Sequence, residues 1–168
     1  MDATMFAADA QDRASTPCSA PNAALPRLEQ QACFALYSAS LAMNRLYRRL
    51  LEPFNLTYPQ YLVMMVLWEK QGLSVNAIGD RLFLDSATLT PLLKRLEQMG
   101  LIIRKRAVHD ERLREIDLTE AGRSLQVQAA DIPNRVQSIL GYESDDLNHL
   151  KMTLELVRNQ VLHQLPNH

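Results

Sequence analysis

A mainly α-helical fold with one small β-hairpin is predicted by three observations. Apolar residues recur at threes and fours over most of the chain, and capping residues and breakers divide that pattern into separate helices. Two short β-leaning runs, Leu101 to Arg106 and Arg114 to Leu118, flank a single charged loop. Two short helices followed by a hairpin with a charged tip make a winged helix-turn-helix, here with additional helices at both ends.

The stretch from Leu73 to Leu118 carries that prediction. Ser74 can cap a helix with Val75, Ile78 and Leu82 on its apolar face. After a break at Phe83-Leu84-Asp85, Asp85 or Ser86 caps a second helix whose inner stripe is Leu89, Leu92, Leu93 and Leu96. Pro91 falls early in this helix, where the loss of one N–H is expected to cost least, and Gly100 stops it. Ser86, Thr88, Thr90, Lys94 and Arg95 are the candidate DNA contacts. They are the short polar and cationic side chains a major groove admits. In the hairpin loop, Asp110 and Arg112 are the further candidates, with Arg112 suited to a minor groove, where an arginine is electrostatically favoured. An αα-hairpin with merely solvated charges explains each feature singly. The cap positions, helix face and hairpin tip together favour DNA binding.

A chain of 168 residues, 47% hydrophobic, suits one domain or one domain with arms. Its net charge is −1, with a small excess of +2 confined to Ser86–Leu118, so charge alone does not argue for nucleic acid. No basic-then-apolar leader and no apolar run long enough to span a bilayer are present, so no membrane partner is expected. Two cysteines are too few for a secreted disulfide scaffold, and a reducing cytoplasm is the expected location. His149, His163 and His168 are too dispersed for a metal site, Asp145-Asp146 reads as a helix N-terminal charge bias, and no cofactor is expected.

The remainder follows in order. Residues 1–24, rich in Ala, Ser, Asp and Pro, read as a disordered arm that contains Cys18. A helix is expected from Leu25 to Leu51, with Cys33, Tyr37 and Tyr47 close in azimuth on one stripe. Thr57-Tyr58-Pro59-Gln60 fits a capping box that opens a helix apolar nearly all round, the expected central helix. After the wing, Thr119 caps a helix that Pro133 should kink, Gly141 marks a break, and Ser144 should cap a last helix rich in Leu and Val. The end helices carry more apolar positions than a small winged domain can bury. Residues 25–54 and 120–165 are therefore expected to form a homodimerisation region around a DNA-binding domain at 55–119.

This arrangement resembles the MarR family of dimeric repressors, whose wing signature Asp110-Glu111-Arg112 matches. Cys33-Phe34-Ala35-Leu36-Tyr37, Leu56-Thr57-Tyr58-Pro59-Gln60-Tyr61-Leu62-Val63 and Leu84 to Arg95 narrow the resemblance to the organic hydroperoxide resistance regulators. It covers Leu28 to Leu162. It implies a repressor, not an enzyme, that binds a double-stranded DNA operator. It implies too that Cys33 is the sensing thiol, with Tyr37, Tyr47 and Tyr58 as its shell and an organic hydroperoxide as inducer. Hydroxyl donors aimed at a thiol favour its reactive thiolate form, in keeping with that implication. Relatives that form an intersubunit disulfide carry a second cysteine near the C-terminal helices, and this chain has none after Cys33. Two end states stay open: capping of the Cys33 sulfenate by a low-molecular-weight thiol or its own backbone, or resolution by Cys18.

Two other functions compete. One keeps the DNA-binding fold with a small phenolic or lipophilic ligand as inducer. The other makes Cys33 the nucleophile of a thiol peroxidase, disfavoured by the absence of a resolving cysteine, a cationic activator or a thioredoxin-like pattern.

Overall fold

The computed structural model describes residues 27–106 and 114–165; the predicted arm with Cys18, the loop with His109, Asp110 and Arg112, and His168 lie outside them. The chain divides into two compact units after Ser38. In the first, a 3-10 turn at Leu28–Gln30 precedes helix α1, Ala32–Leu51, which continues into the second unit. The helix thus starts several residues later than the expected Leu25. Arg27 offers no side-chain cap, and extended backbone at Gln31 separates the turn from the helix.

The second unit is built around α2, Tyr58–Glu69. Gln60 accepts the Thr57 N–H at 2.9 Å, completing the predicted capping box. Val63, Met64 and Leu67 on this helix are fully buried, together with Leu51 at the end of α1. Helices α3, Val75–Leu82, and α4, Ser86–Gln98, pack against α2, as do the sheet and α5, Glu120–Gln128. The sheet is antiparallel with order β1-β3-β2: Leu73–Ser74, Arg114–Leu118 and Ile102–Arg106. The unanticipated strand β1 pairs Leu73 with Ile116, and Arg104 faces Ile116 from the other side. Ile116 is fully buried, so one apolar residue anchors all three strands.

Two prolines act differently from expectation. Pro91 is the sixth residue of α4, and the Leu89 N–H already bonds the Asp85 carbonyl, so Pro91 does forfeit a helical bond to Ala87. Both residues are exposed, which leaves the orphaned carbonyl to water. Pro133 does not kink a helix: α5 ends at Gln128 and Pro133 lies in the first turn of a new helix, α6, Ile132–Leu140, where no N–H is needed. Gly141, at φ +68, closes α6 as predicted. The last helix, α7, Ser144–Gln164, has Glu143 rather than Ser144 at its N-cap. The Ser144 hydroxyl instead accepts from Gln137 Nε2 at 3.1 Å, which ties α7 to α6.

Thr119 caps α5 as predicted, accepting the Gly122 N–H at 3.0 Å, while its own hydroxyl reaches the Gly100 carbonyl at 2.6 Å. Trp68 Nε1 donates to the Gly122 carbonyl at 2.9 Å. Helix α5 therefore crosses the α4–β2 turn at very short range. A Cβ at Gly122 would stand 2.1 Å from the Leu101 carbonyl oxygen, and one at Gly79 2.7 Å from that of Leu84. Neither obstacle is a flexible side chain. Gly122→Ala and Gly79→Ala should each lower stability by about 1–3 kcal/mol, Gly122→Ala the more, as read from urea unfolding midpoints. Wild-type midpoints in both would contradict these contacts.

Candidate functional site

The helix-turn-helix is assembled by local bonds that the sequence specifies. Ser74 Oγ accepts the Ala77 N–H at 3.1 Å to open α3. The helix closes on Phe83, which takes a left-handed conformation at φ 55, and the Leu84 N–H returns to the Gly79 carbonyl at 3.0 Å. Gly79 is needed because the turn folds back onto its α-carbon. Asp85, not Ser86, caps α4: its Oδ1 accepts the Thr88 N–H at 2.6 Å. That backbone bond holds the exposed Asp85 carboxyl below its ordinary range. At the far end Gly100, at φ +71, donates to the Glu97 carbonyl while Leu101 N–H reaches that of Leu96, a Schellman closure.

Between these caps α4 has two faces. Leu89, Leu93 and Leu96 are fully buried, with Leu92 only half-buried. Ser86, Thr88, Thr90, Lys94 and Arg95 are all exposed. Thr90 Oγ1 donates to the Ser86 carbonyl at 2.6 Å, so its hydroxyl is left to accept a bond from a partner. Among the described residues neither Lys94 nor Arg95 enters an ion pair. The neighbouring cations are spoken for: Arg104 pairs with Glu97 at 3.0 Å and Lys105 with Asp117 at 2.9 Å. The Arg104–Glu97 pair fastens β2 to α4. The hairpin stem is described up to Arg106 opposite Arg114, and Asp110 and Arg112 belong to the loop outside the described residues.

The sensing candidates fall in different places. Cys33 is a free, exposed thiol near the start of α1, and Tyr37, 61% exposed, follows one turn later. Tyr47 and Tyr58 are brought together, their rings stacked with centroids 3.9 Å apart and planes 20° apart. Burial raises both phenols above their ordinary value, Tyr47 the more because of Tyr58 beside it. A hydrogen bond between the two hydroxyls works in the opposite sense at Tyr58. The opposite signs make Tyr47 the donor and Tyr58 the acceptor of that bond, which leaves the Tyr58 O–H to donate elsewhere. Tyr61 extends this cluster, 6.1 Å from Tyr47, and meets Trp68 edge-on at 5.9 Å. The sequence singled out neither, though the spacing Tyr58, Tyr61, Trp68 at three and seven marks one helix face. A groove of about 690 Å³ runs beside the pair, between Met43, Tyr47 and Tyr58 and the Leu147, Leu150 and Leu154 side chains of α7.

An exposed polar and cationic helix behind a tight turn, followed by a β-hairpin that β1 extends to three strands, defines a winged-helix DNA-binding regulator. The profile of the family described as transcriptional regulator SarA/Rot matches residues 45–128. The chain is 47% identical over 138 residues to the organic hydroperoxide resistance transcriptional regulator of Bacillus subtilis strain 168, covering 82% of this chain and 93% of that protein. It is 49% identical over 134 residues to the HTH-type transcriptional regulator TtmR of Methylorubrum extorquens strain PA1, covering 80% and 69%. Reduced AbfR bound to DNA superposes with a TM-score of 0.71 at 37% identity, over 82% of this chain and 94% of that one. AbfR, whose crystal structure is from Staphylococcus epidermidis, is also known overoxidised on DNA, at a TM-score of 0.66, and in a disulfide-formed state, at 0.57. The chain belongs to the MarR-type winged-helix transcriptional regulators, within their organic hydroperoxide resistance branch.

The Asp85 cap gives a pH test. Its folded-state pKa lies below the ordinary 3.8, so the stabilisation it supplies is complete above that value and is lost as pH falls through the lower, folded value. Asp85→Ala should melt below wild type at pH 6 to 7, and the two should converge as the solution is acidified well below the ordinary carboxylate range. A gap independent of pH would show that the carboxylate does not cap α4.

Proposed function

We propose that this regulator is a repressor that senses organic hydroperoxides through Cys33 and releases its operator once that thiol is oxidised. The observation that carries the proposal is the stacked Tyr47–Tyr58 pair, two half-buried phenols with their hydroxyls side by side. The names of the relatives support it: one is a hydroperoxide resistance regulator, and another is known reduced, overoxidised and disulfide-formed.

The homodimer is formed through α1 and α7. No residue of α7 is buried within the chain, and its Leu150, Leu154, Val157 and Val161 are exposed. Association covers such a face. Sedimentation at micromolar concentration should give a dimer, and a monomer that binds the full operator tightly would contradict it. In each subunit Ser86, Thr88 and Thr90 reach base edges, Lys94 and Arg95 neutralise phosphates or read guanine, Arg112 enters the minor groove, and Asp110 is a further contact. The dimer sets the spacing of the two recognition helices at about one turn of DNA.

In the sensing step the Cys33 thiolate attacks one peroxide oxygen, with Tyr37 of its own chain and, as the resemblance implies, Tyr47 and Tyr58 of the partner subunit as its hydroxyl shell. The O–O bond breaks, sulfur is oxidised to the sulfenate, and the alkoxide leaves as an alcohol after taking a proton. A low-molecular-weight thiol then condenses with the sulfenic acid, releasing water and leaving a mixed disulfide. Bulk and loss of the thiolate acceptor disturb the tyrosine network and, with it, the spacing of the recognition helices. Sulfenate capping is preferred to resolution by Cys18.

The groove beside Tyr47 and Tyr58 favours one other reading, induction by an apolar ligand without thiol chemistry. Cys33→Ser separates the two. It should bind the operator and ignore cumene hydroperoxide, while Cys18→Ser still responds; a Cys33→Ser protein that still lets go would favour the ligand. On the DNA side, Lys94→Ala or Arg95→Ala should lower the salt slope of binding by about one for a phosphate contact, and Arg112→Ala should lose about 1–3 kcal/mol. Unchanged affinity and slope in all three would exclude this face.

A further inference from the structure

We propose that Phe83 and Arg158 form the joint through which α7 positions the recognition helix, which makes both of them positioning residues for operator release. Phe83 closes α3 in the left-handed region, at φ 55, where a residue with a β-carbon is strained and glycine is the ordinary choice. The residue remains 56% exposed, so burial does not account for a phenylalanine at that position. What the ring does meet is a cation. The Arg158 guanidinium, carried by α7, lies 4.3 Å from the ring centroid, within the range of a cation–π contact. The guanidinium is held in its plane by two hydrogen bonds, from Nε and Nη2 to Asn159 Oδ1 at 3.2 and 3.1 Å.

Arg158 also lines the groove that holds Tyr47 and Tyr58. One side chain therefore borders the tyrosine pair and grips the turn that opens α4. Asp85, which caps the recognition helix, follows Phe83 by two residues. A shift of α7 along the groove moves the guanidinium, the ring beneath it and the first turn of α4 together. This inference rests on Cys33 as the sensor, since rearrangement around the tyrosines is what displaces α7.

The test uses full-length protein and one operator duplex. Operator Kd is measured before and after cumene hydroperoxide, with intact mass recording oxidation of Cys33 in the same samples. In wild type and in Phe83→Tyr, which keeps the ring face, oxidation weakens binding fully. In Arg158→Ala and Phe83→Leu the reduced Kd stays within about threefold of wild type and Cys33 oxidises as in wild type. The ratio of oxidised to reduced Kd falls by about tenfold, the size that two weak cation–π contacts per dimer can supply. Phe83→Gly, which removes the ring while relieving the strained backbone, should behave as Phe83→Leu does and guards against a folding defect. If the variants that lack ring or cation are oxidised and release the operator like wild type, the joint does not exist. If wild-type Cys33 is oxidised without release, or is not oxidised at all, the sensor reading fails first and the joint falls with it.

Discussion

The recognition helix can offer a fully polar face to solvent only because its opposite face is buried to completion. Leu89, Leu93 and Leu96 have no accessible surface. Each such side chain contributes about 1.5–3 kcal/mol relative to exposure. That burial sets the rotation of α4 about its own axis, and the rotation decides that Ser86, Thr88, Thr90, Lys94 and Arg95 all point outward. α2 supplies the other half of the contact. It can do so because it is apolar on every side and receives α3, α4, α5 and the sheet at once. A polar substitution on the inner face of α4 would therefore cost stability and also turn the outward face.

Much of this was legible in the sequence where the determinant is local. Thr57 with Gln60, Ser74 and Thr119 cap helices at the predicted residues, and Asp85 is one of the two predicted for α4, because a cap needs only a short polar side chain and a free N–H two or three residues on. Strand β3 begins and ends where the β-leaning run does. The misreadings share a different cause. β1 is two residues long and exists only through pairing with Ile116, more than forty positions away, so no local pattern marks it. Pro133 reads equally well as a kink or as the first turn of a new helix, and the buried pair Ala129 and Ile132 at the junction decides the matter. The close approaches at Gly79 and Gly122 are made by backbone carbonyls of other segments, which a glycine in a sequence does not announce. Phe83 is harder still, since a left-handed closure without glycine leaves no signal.

The site divides in the same way. The outward face of α4 follows from periodicity alone. The tyrosines were named through resemblance, and folding adds something the resemblance did not contain: Tyr47 and Tyr58 stack on one another, and burial pushes both phenols up. Two stacked phenols beside an apolar groove are also a mechanically suitable sensor. A sulfur that gains an oxygen or a capping group must displace something, and close-packed rings do not yield continuously.

In the proposed switch, release need not demand much: a difference of about 3 kcal/mol between a DNA-binding and a released arrangement corresponds to more than a hundredfold in operator affinity. The AbfR structures carry a useful warning, since that protein is known overoxidised and on DNA, so an oxidised cysteine does not by itself preclude the complex. The direct measurement is therefore one that records oxidation and binding in the same molecules. The operator complex is treated with less than one equivalent of cumene hydroperoxide in the presence of a small thiol, bound and free protein are separated, and the intact mass of each is taken. If Cys33 oxidation drives release, the free fraction carries the sulfenate or mixed-disulfide mass and the bound fraction is unmodified. Equal modification in both fractions, or unmodified protein in the free fraction, would contradict it.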